Sequence, residues 1–218
     1  MPSWLFAHIK AVARCATPVM VVLSAHAASQ GEQIVQSLLE CSPKYFAEVR
    51  TSAAISSAGY TFTPKGRLVV PNSRDELGSG YRVMGKRSIE LGGLTVVGMY
   101  DLHRKANTFE MLDWGLLVRG DPASLVQILN DLLPAERALE SDKLLGFARV
   151  DRTTIKTWPT WSTQKPLPTP RPVEFGDLEL VAEVTVADED IPNVSRIGCS
   201  LQGVFPPFVL RQRRPDID

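Results

Sequence analysis

The sequences YRVMGKRSIEL (residues 81–91), LTVVGMYDLH (94–103) and TFEMLDWGLLVRG (108–120) decide the fold class of this chain. Each run is rich in aliphatic and aromatic residues, and turn residues separate the runs at Gly92-Gly93 and at Lys105-Ala106-Asn107. Apolar runs of this length that are joined by short turns pair as antiparallel neighbours in a sheet. The three runs therefore predict a meander of antiparallel strands.

Two helical patterns precede the meander, in GEQIVQSLLECSPKYFAEVR (31–50). The first has apolar residues at the spacing of an amphipathic helix, and Ser42-Pro43 then predicts the N-terminus of a second helix. The expected buried faces are formed by Ile34, Val35, Leu38 and Leu39 in the first helix, and by Tyr45, Phe46 and Val49 in the second.

A third helix is predicted in RGDPASLVQILNDLLP (119–134). Asp121 is a natural N-cap, Pro122 suits the first turn, and Pro134 ends the pattern. The expected apolar stripe consists of Leu125, Ile128, Leu129 and Leu132.

Further strands are predicted on both sides of this helix. They are LLGFARVDRTTI (144–155), DLELVAEVTVA (177–187), SRIGCSLQGVF (195–205), and two short strands within GYTFTPKGRLVV (59–70) around the turn at Pro64-Lys65-Gly66. Residues 156–175 contain five prolines and two tryptophans, which predicts a long extended loop with polyproline character. The pattern as a whole predicts an α+β fold, in which an antiparallel, meander-rich sheet packs against two or three helices. Residues 28–218 are expected to form a single domain.

The first 27 residues have the pattern of a secretory signal peptide. Lys10 and Arg14 precede an apolar run at 15–23, and Ala25-His26-Ala27 then supplies small residues for cleavage after Ala27. The run is shorter than the roughly 20 residues that span a bilayer, so a stable membrane anchor is not expected. The alternative is a buried N-terminal helix. The signal-peptide interpretation predicts a periplasmic protein of 191 residues, since 27 of the 218 are removed.

Charge and composition exclude some classes of partner. Lys plus Arg and Asp plus Glu each number 24, and removal of Lys10 and Arg14 leaves a formal charge of −2. Nucleic-acid binding is not expected, because such proteins normally present a basic face. The basic sequence RQRR (211–214) is followed by Pro215 and Asp216, and is predicted to be a solvated terminus.

Two cysteines remain after cleavage, Cys41 and Cys199. In an oxidising compartment an even pair predicts a disulfide, here between an N-terminal helix and a C-terminal strand. The alternative is two independent buried thiols. A metal site is not expected, because two thiols and one histidine without close spacing are not a ligand set.

The sequence contains no recognisable catalytic signature. It has no G-x-S-x-G motif and no phosphate-binding loop, and His103 is expected to be a solvated residue at a hairpin end. We therefore expect no catalytic residues and no cofactor, and a protein that is not an enzyme.

The candidate partner-binding residues lie in two predicted loops. Asp188, Glu189 and Asp190 form an acidic cluster, which is either a contact patch for a basic partner or a solvated turn. Trp158 and Trp161 lie in the proline-rich loop, where they either anchor an interface or fold back over the sheet edge. Trp114, within a strand, is expected in the core.

The segments LLECSPKYF (38–46), LGGLTVVGMYDL (91–102) and WGLLVRGD (114–121) resemble periplasmic immunity proteins of Gram-negative bacteria. Such proteins protect the producing cell from lipase or phospholipase effectors of the type VI secretion system. The resemblance implies that the partner is a cognate secreted effector and that the chain occludes the effector's active site. It carries no residue roles, because no shared motif aligns. Two alternatives remain open: a periplasmic carrier of a lipid or apolar ligand, and a small cell-envelope hydrolase that uses His103.

Overall fold

The computed structural model describes residues 29–71, 81–106, 109–143, 146–164, 176–187, 191–204 and 206–217. The predicted signal peptide, the acidic residues Asp188, Glu189 and Asp190, and residues 165–175 of the proline-rich loop lie outside the described residues. The described helices are α1 (Gln30–Leu39), α2 (Lys44–Thr51), α3 (Ala53–Ser57), α4 (Pro122–Asp131) and α5 (Pro207–Arg213), with a 3-10 turn at Ala135–Arg137. The described strands are β1 (Arg82–Leu91), β2 (Leu94–Ala106), β3 (Phe109–Arg119), β4 (Glu140–Asp142), β5 (Gly146–Thr154), β6 (Ser162–Gln164), β7 (Asp177–Val186) and β8 (Val194–Gly203).

All eight strands belong to one antiparallel sheet, which confirms the predicted α+β fold class and the meander of β1, β2 and β3. The strand order is β1-β2-β3-β8-β7-β5-β4, and β6 also pairs with β5. The C-terminal strand β8 therefore lies in the middle of the sheet, between β3 and β7. Residues from both halves of the chain consequently meet on the central strands.

The main core lies on one face of the sheet. Alternate residues of β3, including Leu112, Trp114 and Leu116, join one buried cluster with residues of α1, α2 and α4. Side chains alternate between the two faces of a strand, so Asp113 and Leu117 point to the opposite face. Trp114 is 1% exposed, and its predicted place in the core is confirmed.

The predicted N-terminal helices form, and their predicted buried faces are confirmed. At α1, Ser29 and Glu32 complete a capping box that satisfies backbone N–H groups at both positions. At α4, the predicted N-cap is confirmed, because the Asp121 side chain accepts a hydrogen bond from the Ser124 backbone N–H at 3.0 Å. None of the described helices is long and apolar enough to cross a membrane.

Two local predictions are wrong. Residues 59–70 form a turn with a single bridge between Phe62 and Leu68 rather than two strands, because the turn and Pro64 occupy most of the segment. Ile128 is 39% exposed rather than buried, since Leu125 and Leu129 face the sheet and Ile128 lies beside Gly93 instead.

The predicted solvated RQRR terminus is also wrong. These residues end α5, and Arg214 is fully buried. Its guanidinium donates hydrogen bonds to Asp101 at 3.0 Å and to Asp216 at 2.8 and 2.9 Å. It also packs on the rings of Phe46 and Trp114, at 4.7 and 4.8 Å from their centroids. The basic sequence RQRR therefore includes one residue, Arg214, that is part of the core.

Cys41 and Cys199 lie at disulfide distance, with their Cα atoms 5.6 Å apart. Cys41 follows α1, and Cys199 lies at the centre of β8, directly opposite Trp114 of β3. The pair therefore connects the first described helix to the middle of the sheet, as the sequence predicts.

Candidate functional site

Trp158 and Trp161 lie at one end of the sheet, in the connection between β5 and β6. Their rings meet edge to face with centroids 5.5 Å apart, and Trp158 contacts Phe208 of α5 at 5.9 Å. All three rings retain exposed area, and Phe208 is 39% exposed. The two tryptophans also pack against the main core, so they are partly exposed and partly covered. We call Trp158, Trp161, Phe208 and Arg213 the aromatic patch.

Arg213 supplies the charge of the aromatic patch. Its guanidinium carbon lies 5.0 Å from the centroid of Trp161 and 5.7 Å from that of Trp158. Burial lowers the pKa of the guanidinium; among its neighbours, Asp151 acts to raise that pKa and Arg137 to lower it. The cation–π contacts to two rings hold the guanidinium in a fixed place.

Threonines brace the turn that carries Trp158. The Thr153 hydroxyl donates to the Thr160 carbonyl at 2.6 Å, and the Trp158 backbone N–H donates to the Thr154 carbonyl at 3.0 Å. Thr157 accepts a hydrogen bond from the Thr154 N–H at 3.0 Å. These local bonds hold Trp158 without a regular helix or strand.

A buried ion network holds β6, which follows Trp161. Arg137 donates two hydrogen bonds to Asp151, at 3.0 and 3.1 Å, and the Thr163 hydroxyl of β6 donates to the same carboxylate at 2.7 Å. Burial acts to raise the pKa of Asp151, but the Thr163 hydrogen bond and the charges of Arg149 and Arg137 together lower it. Arg149 also donates to the Leu39 carbonyl at 2.6 Å, which joins the network to the C-terminus of α1.

Helix α5, which carries Phe208 and Arg213, is fixed by residues on both sides of them. Val209 is fully buried, and Arg214 is bonded to Asp101 and Asp216 as described above. The aromatic patch is thus held by rigid elements on each side. Interface residues held in this way lose little conformational entropy when they bind.

The described residues on either side of the predicted acidic loop lie far from this patch, and Asp188, Glu189 and Asp190 themselves are outside the described residues. Its described flanking residues, Ala187 and Ile191, follow β7 and precede β8, whereas the aromatic patch lies near the start of β7 and the end of β8. Each of these strands has ten residues, so the two ends are separated by about 30 Å. An open groove of about 410 Å³ lies at the loop end, and its lining includes Asp121, Val186 and Ile191. The described residues that flank the acidic loop are therefore separated from Trp158 and Trp161 by about the length of a strand.

The face of the sheet opposite the main core carries a cluster that the sequence did not predict. We call Tyr100, Asp113, Glu183 and Arg196 the sheet-face cluster. Arg196 lies 3.4 Å from the Asp113 carboxylate, 3.7 Å from that of Glu183, and 5.2 Å from the centroid of Tyr100. The Tyr100 hydroxyl and Asp113 Oδ1 are buried without a hydrogen-bond partner among the described residues.

Glycines make room for Tyr100 in this cluster. A Cβ atom at Gly115 would lie 2.9 Å from the Tyr100 hydroxyl, and one at Gly198 would collide with it. The Tyr100 side chain therefore extends over the positions where side chains of β3 and β8 would stand. An isolated glycine within a strand pattern is the sequence signal for such a close approach.

Burial changes the acidity of both carboxyl groups in the sheet-face cluster. It raises the pKa of Asp113 from 3.8 to about 6, against the opposing charge of Arg196. It raises the pKa of Glu183 from 4.5 to about 7, and the charge of Asp113 adds to this effect. The pKa values of both carboxyl groups therefore lie close to neutral pH.

His103 does have a carboxylate partner. Its Nε2 lies 2.6 Å from Glu110 Oε1, and the Lys105 ammonium lies 3.8 Å from the same carboxylate. Within the described part of the chain, no serine, threonine or cysteine side chain hydrogen bonds to His103. The His103–Glu110 pair is a cross-strand contact between β2 and β3.

The space beneath α2 is too small for a lipid. A cavity of about 10 Å³ lies there between Tyr45, Phe46 and Trp114. One water molecule needs roughly 10–15 Å³, so this space does not admit an acyl chain. Among the residues that the structure describes, no group of three or more His, Cys, Asp or Glu side chains could hold a metal ion.

Phe208 and Arg213 are the patch residues that sequence reasoning missed. The available signal was Pro206-Pro207 followed by Phe208, Val209 and Leu210, since proline is favoured at the first position of a helix. The basic residues of RQRR obscured that short helix. In comparisons with known proteins, no family model, curated protein or solved structure matches the chain.

Proposed function

We propose that this chain is an exported binding protein that neutralises a secreted antibacterial effector by occluding its active site. The proposed partner is a cognate effector of the lipase or phospholipase type, as the resemblance in the sequence implies. No chemistry by the chain itself is required, because a rigid surface that fills the mouth of an active site excludes the substrate.

The aromatic patch is the observation that carries this proposal. Tryptophan and arginine are enriched among the residues that dominate protein–protein binding energy. Here two tryptophans, a phenylalanine and an arginine lie together with exposed area, on a turn and a helix that buried ion pairs hold in place.

The cysteine pair supports the exported location. Disulfides persist in the periplasm and are rare in the cytosol, and Cys41 and Cys199 lie at disulfide distance. The signal-peptide pattern of residues 1–27 supports the same location.

The direct test is protection against the product of the adjacent gene. Cells that express this product in the periplasm should survive only when the chain is co-expressed, and the two purified proteins should form a complex. Trp158→Ala should weaken that complex about 30-fold or more, because a large ring is lost from the centre of the contact. Met84→Ala is the matched control, since Met84 is 47% exposed on the edge strand β1, outside both candidate binding surfaces.

The acidic loop is tested in the same assay. Triple alanine substitution of Asp188, Glu189 and Asp190 should reduce protection if that end of the molecule enters the effector, and unchanged binding removes the loop from the interface. If the adjacent gene product neither binds the chain nor loses toxicity in its presence, the proposed inhibitor function is wrong.

A further inference from the structure

We propose that the aromatic patch recognises an acidic segment of its protein partner, and that Arg213 binds a carboxylate of that segment. This proposal rests on the proposed function and names the chemistry of the partner at the same surface. Its basis is the difference between Arg213 and the other partly or fully buried arginines at this end of the sheet.

Three neighbouring arginines have carboxylate partners. Arg137 and Arg149 bind Asp151, and Arg214 binds Asp101 and Asp216. Arg213 forms no hydrogen bond or ion pair with any described residue. None of the described residues therefore occupies its five N–H donors, which can form hydrogen bonds to a ligand.

The position of Arg213 suits a carboxylate. A guanidinium is a planar fork that forms two parallel hydrogen bonds to a carboxylate, and it needs to be held still for this purpose. The rings of Trp158 and Trp161 hold the Arg213 guanidinium by its contacts at 5.7 and 5.0 Å. The side chain is partly buried. Its guanidinium nitrogens still have some solvent-accessible surface, so a ligand can reach them.

The charge around the patch favours an acidic partner. Lys156, in the same turn as Trp158, and Arg211, on α5, are both exposed. The carboxylate whose charge acts on Arg213 is that of Asp151, which is buried and already bonded to Arg137, Arg149 and Thr163. An excess of positive charge at an interface attracts an acidic partner and speeds its association.

A membrane surface with anionic lipids is the other ligand that an aromatic and basic patch attracts. The geometry favours a protein segment, because the tryptophan rings pack edge to face on the core instead of projecting as separate anchors. Membrane anchoring at an interface needs such projecting rings at the level of the lipid headgroups.

The experiment uses the indole N–H resonances of the full mature chain, labelled with ¹⁵N at tryptophan. Poly-L-glutamate is the probe for an acidic segment, and phosphatidylglycerol vesicles are the probe for a membrane. Poly-L-glutamate should shift the Trp158 and Trp161 signals in a saturable way. Trp114 is the internal reference, because it is 1% exposed in the core and its signal should not move.

Three variants test the role of Arg213. Arg213→Gln should weaken poly-L-glutamate binding about tenfold or more. Arg213→Lys should bind with an affinity between those of Arg213→Gln and the wild type, because lysine keeps the charge but lacks the planar fork. Arg211→Gln is the matched control: it removes the same charge from the exposed side of the same helix and should weaken binding less than threefold or so. An unchanged Trp114 signal shows that each variant is folded.

Several results would overturn the proposal. These are no shift with poly-L-glutamate, equal losses for Arg213→Gln and Arg211→Gln, or binding to the vesicles as strong as to poly-L-glutamate. The two proposals fail separately. Binding of poly-L-glutamate without binding of the effector removes only the proposed function, and effector binding that is insensitive to Arg213→Gln removes only the acidic-segment proposal.

Discussion

At the scale of single residues, Arg214 determines where the C-terminal helix lies. Its partner Asp101 is 113 residues away in the sequence, and its ring contacts are to Phe46 and Trp114. Desolvation of a charge is offset only where partners satisfy it, as Asp101 and Asp216 do here. The adjacent Arg213 has no carboxylate partner among the described residues and is partly buried against two tryptophan rings, so the two neighbouring arginines have different environments.

We predict that Arg214→Ala destabilises the protein by about 3–5 kcal/mol, because Asp216 and Asp101 lose a buried cation. Urea unfolding measures the change. Arg211→Ala, at an exposed position of the same helix, should change the free energy of unfolding by no more than about 0.5 kcal/mol. Equal free energies for the two variants would show that the ion pairs of Arg214 do not contribute to stability.

At the scale of the sheet, the two faces carry buried carboxyl groups with opposite pKa shifts. Asp151, on the core face, has a lowered pKa, so its contribution to stability is present at neutral pH and is lost as the pH falls. Asp113 and Glu183, on the opposite face, have raised pKa values of about 6 and about 7. In the folded protein these two groups retain protons that the unfolded chain has already released. Their effect on stability therefore becomes less favourable as the pH rises through 6 and 7.

We predict that the double variant Asp113→Asn and Glu183→Gln gains stability relative to the wild type as the pH rises from about 5 to about 8. The amides remove the cost of ionising two buried carboxyl groups. Urea unfolding at several pH values measures the difference. The free energy of unfolding of Asp131→Asn, at an exposed position, should change with pH in the same way as that of the wild type. A constant difference between the double variant and the wild type would contradict the raised pKa values.

At the scale of the whole molecule, the cysteine pair and the central position of β8 connect the two ends of the chain. Cys41 and Cys199 are 158 residues apart in sequence, and β8 lies between β3 and β7. A link of this length restricts most of the unfolded chain and leaves the folded state almost unchanged.

We predict that the disulfide contributes about 3–5 kcal/mol to the free energy of unfolding, through the long loop that it closes. A reducing agent should lower the stability of the wild type and leave that of the double variant Cys41→Ala and Cys199→Ala unchanged. If the reducing agent has no effect on the wild type, the two cysteines are independent buried thiols.

Local patterns were sufficient to predict much of the fold. The apolar face of α1, the presence of α4 with its Asp121 cap, and the meander of β1 to β3 are all confirmed, because each depends on neighbours within a few residues. The cysteine pairing was predictable from the count alone, since only two cysteines follow the predicted cleavage site. Trp158 and Trp161 could be identified as candidates by residue type and loop position, but not their contacts with Phe208 and Arg213.

The sequence by itself determined the long strands, the helices α1, α2 and α4 and the cysteine pair, because hydrophobic period, turn chemistry and cysteine number are local or countable properties. Only the tertiary structure decided the insertion of β8 beside β3, the burial of Arg214 among carboxylates and the position of Arg213 on the two tryptophan rings. The same holds for the sheet-face cluster, in which Tyr100, Asp113, Glu183 and Arg196 come from four different strands. The physical reason is that a charged side chain can be buried only where a partner offsets its desolvation. That partner is often distant in sequence, and only the folded chain brings the two together.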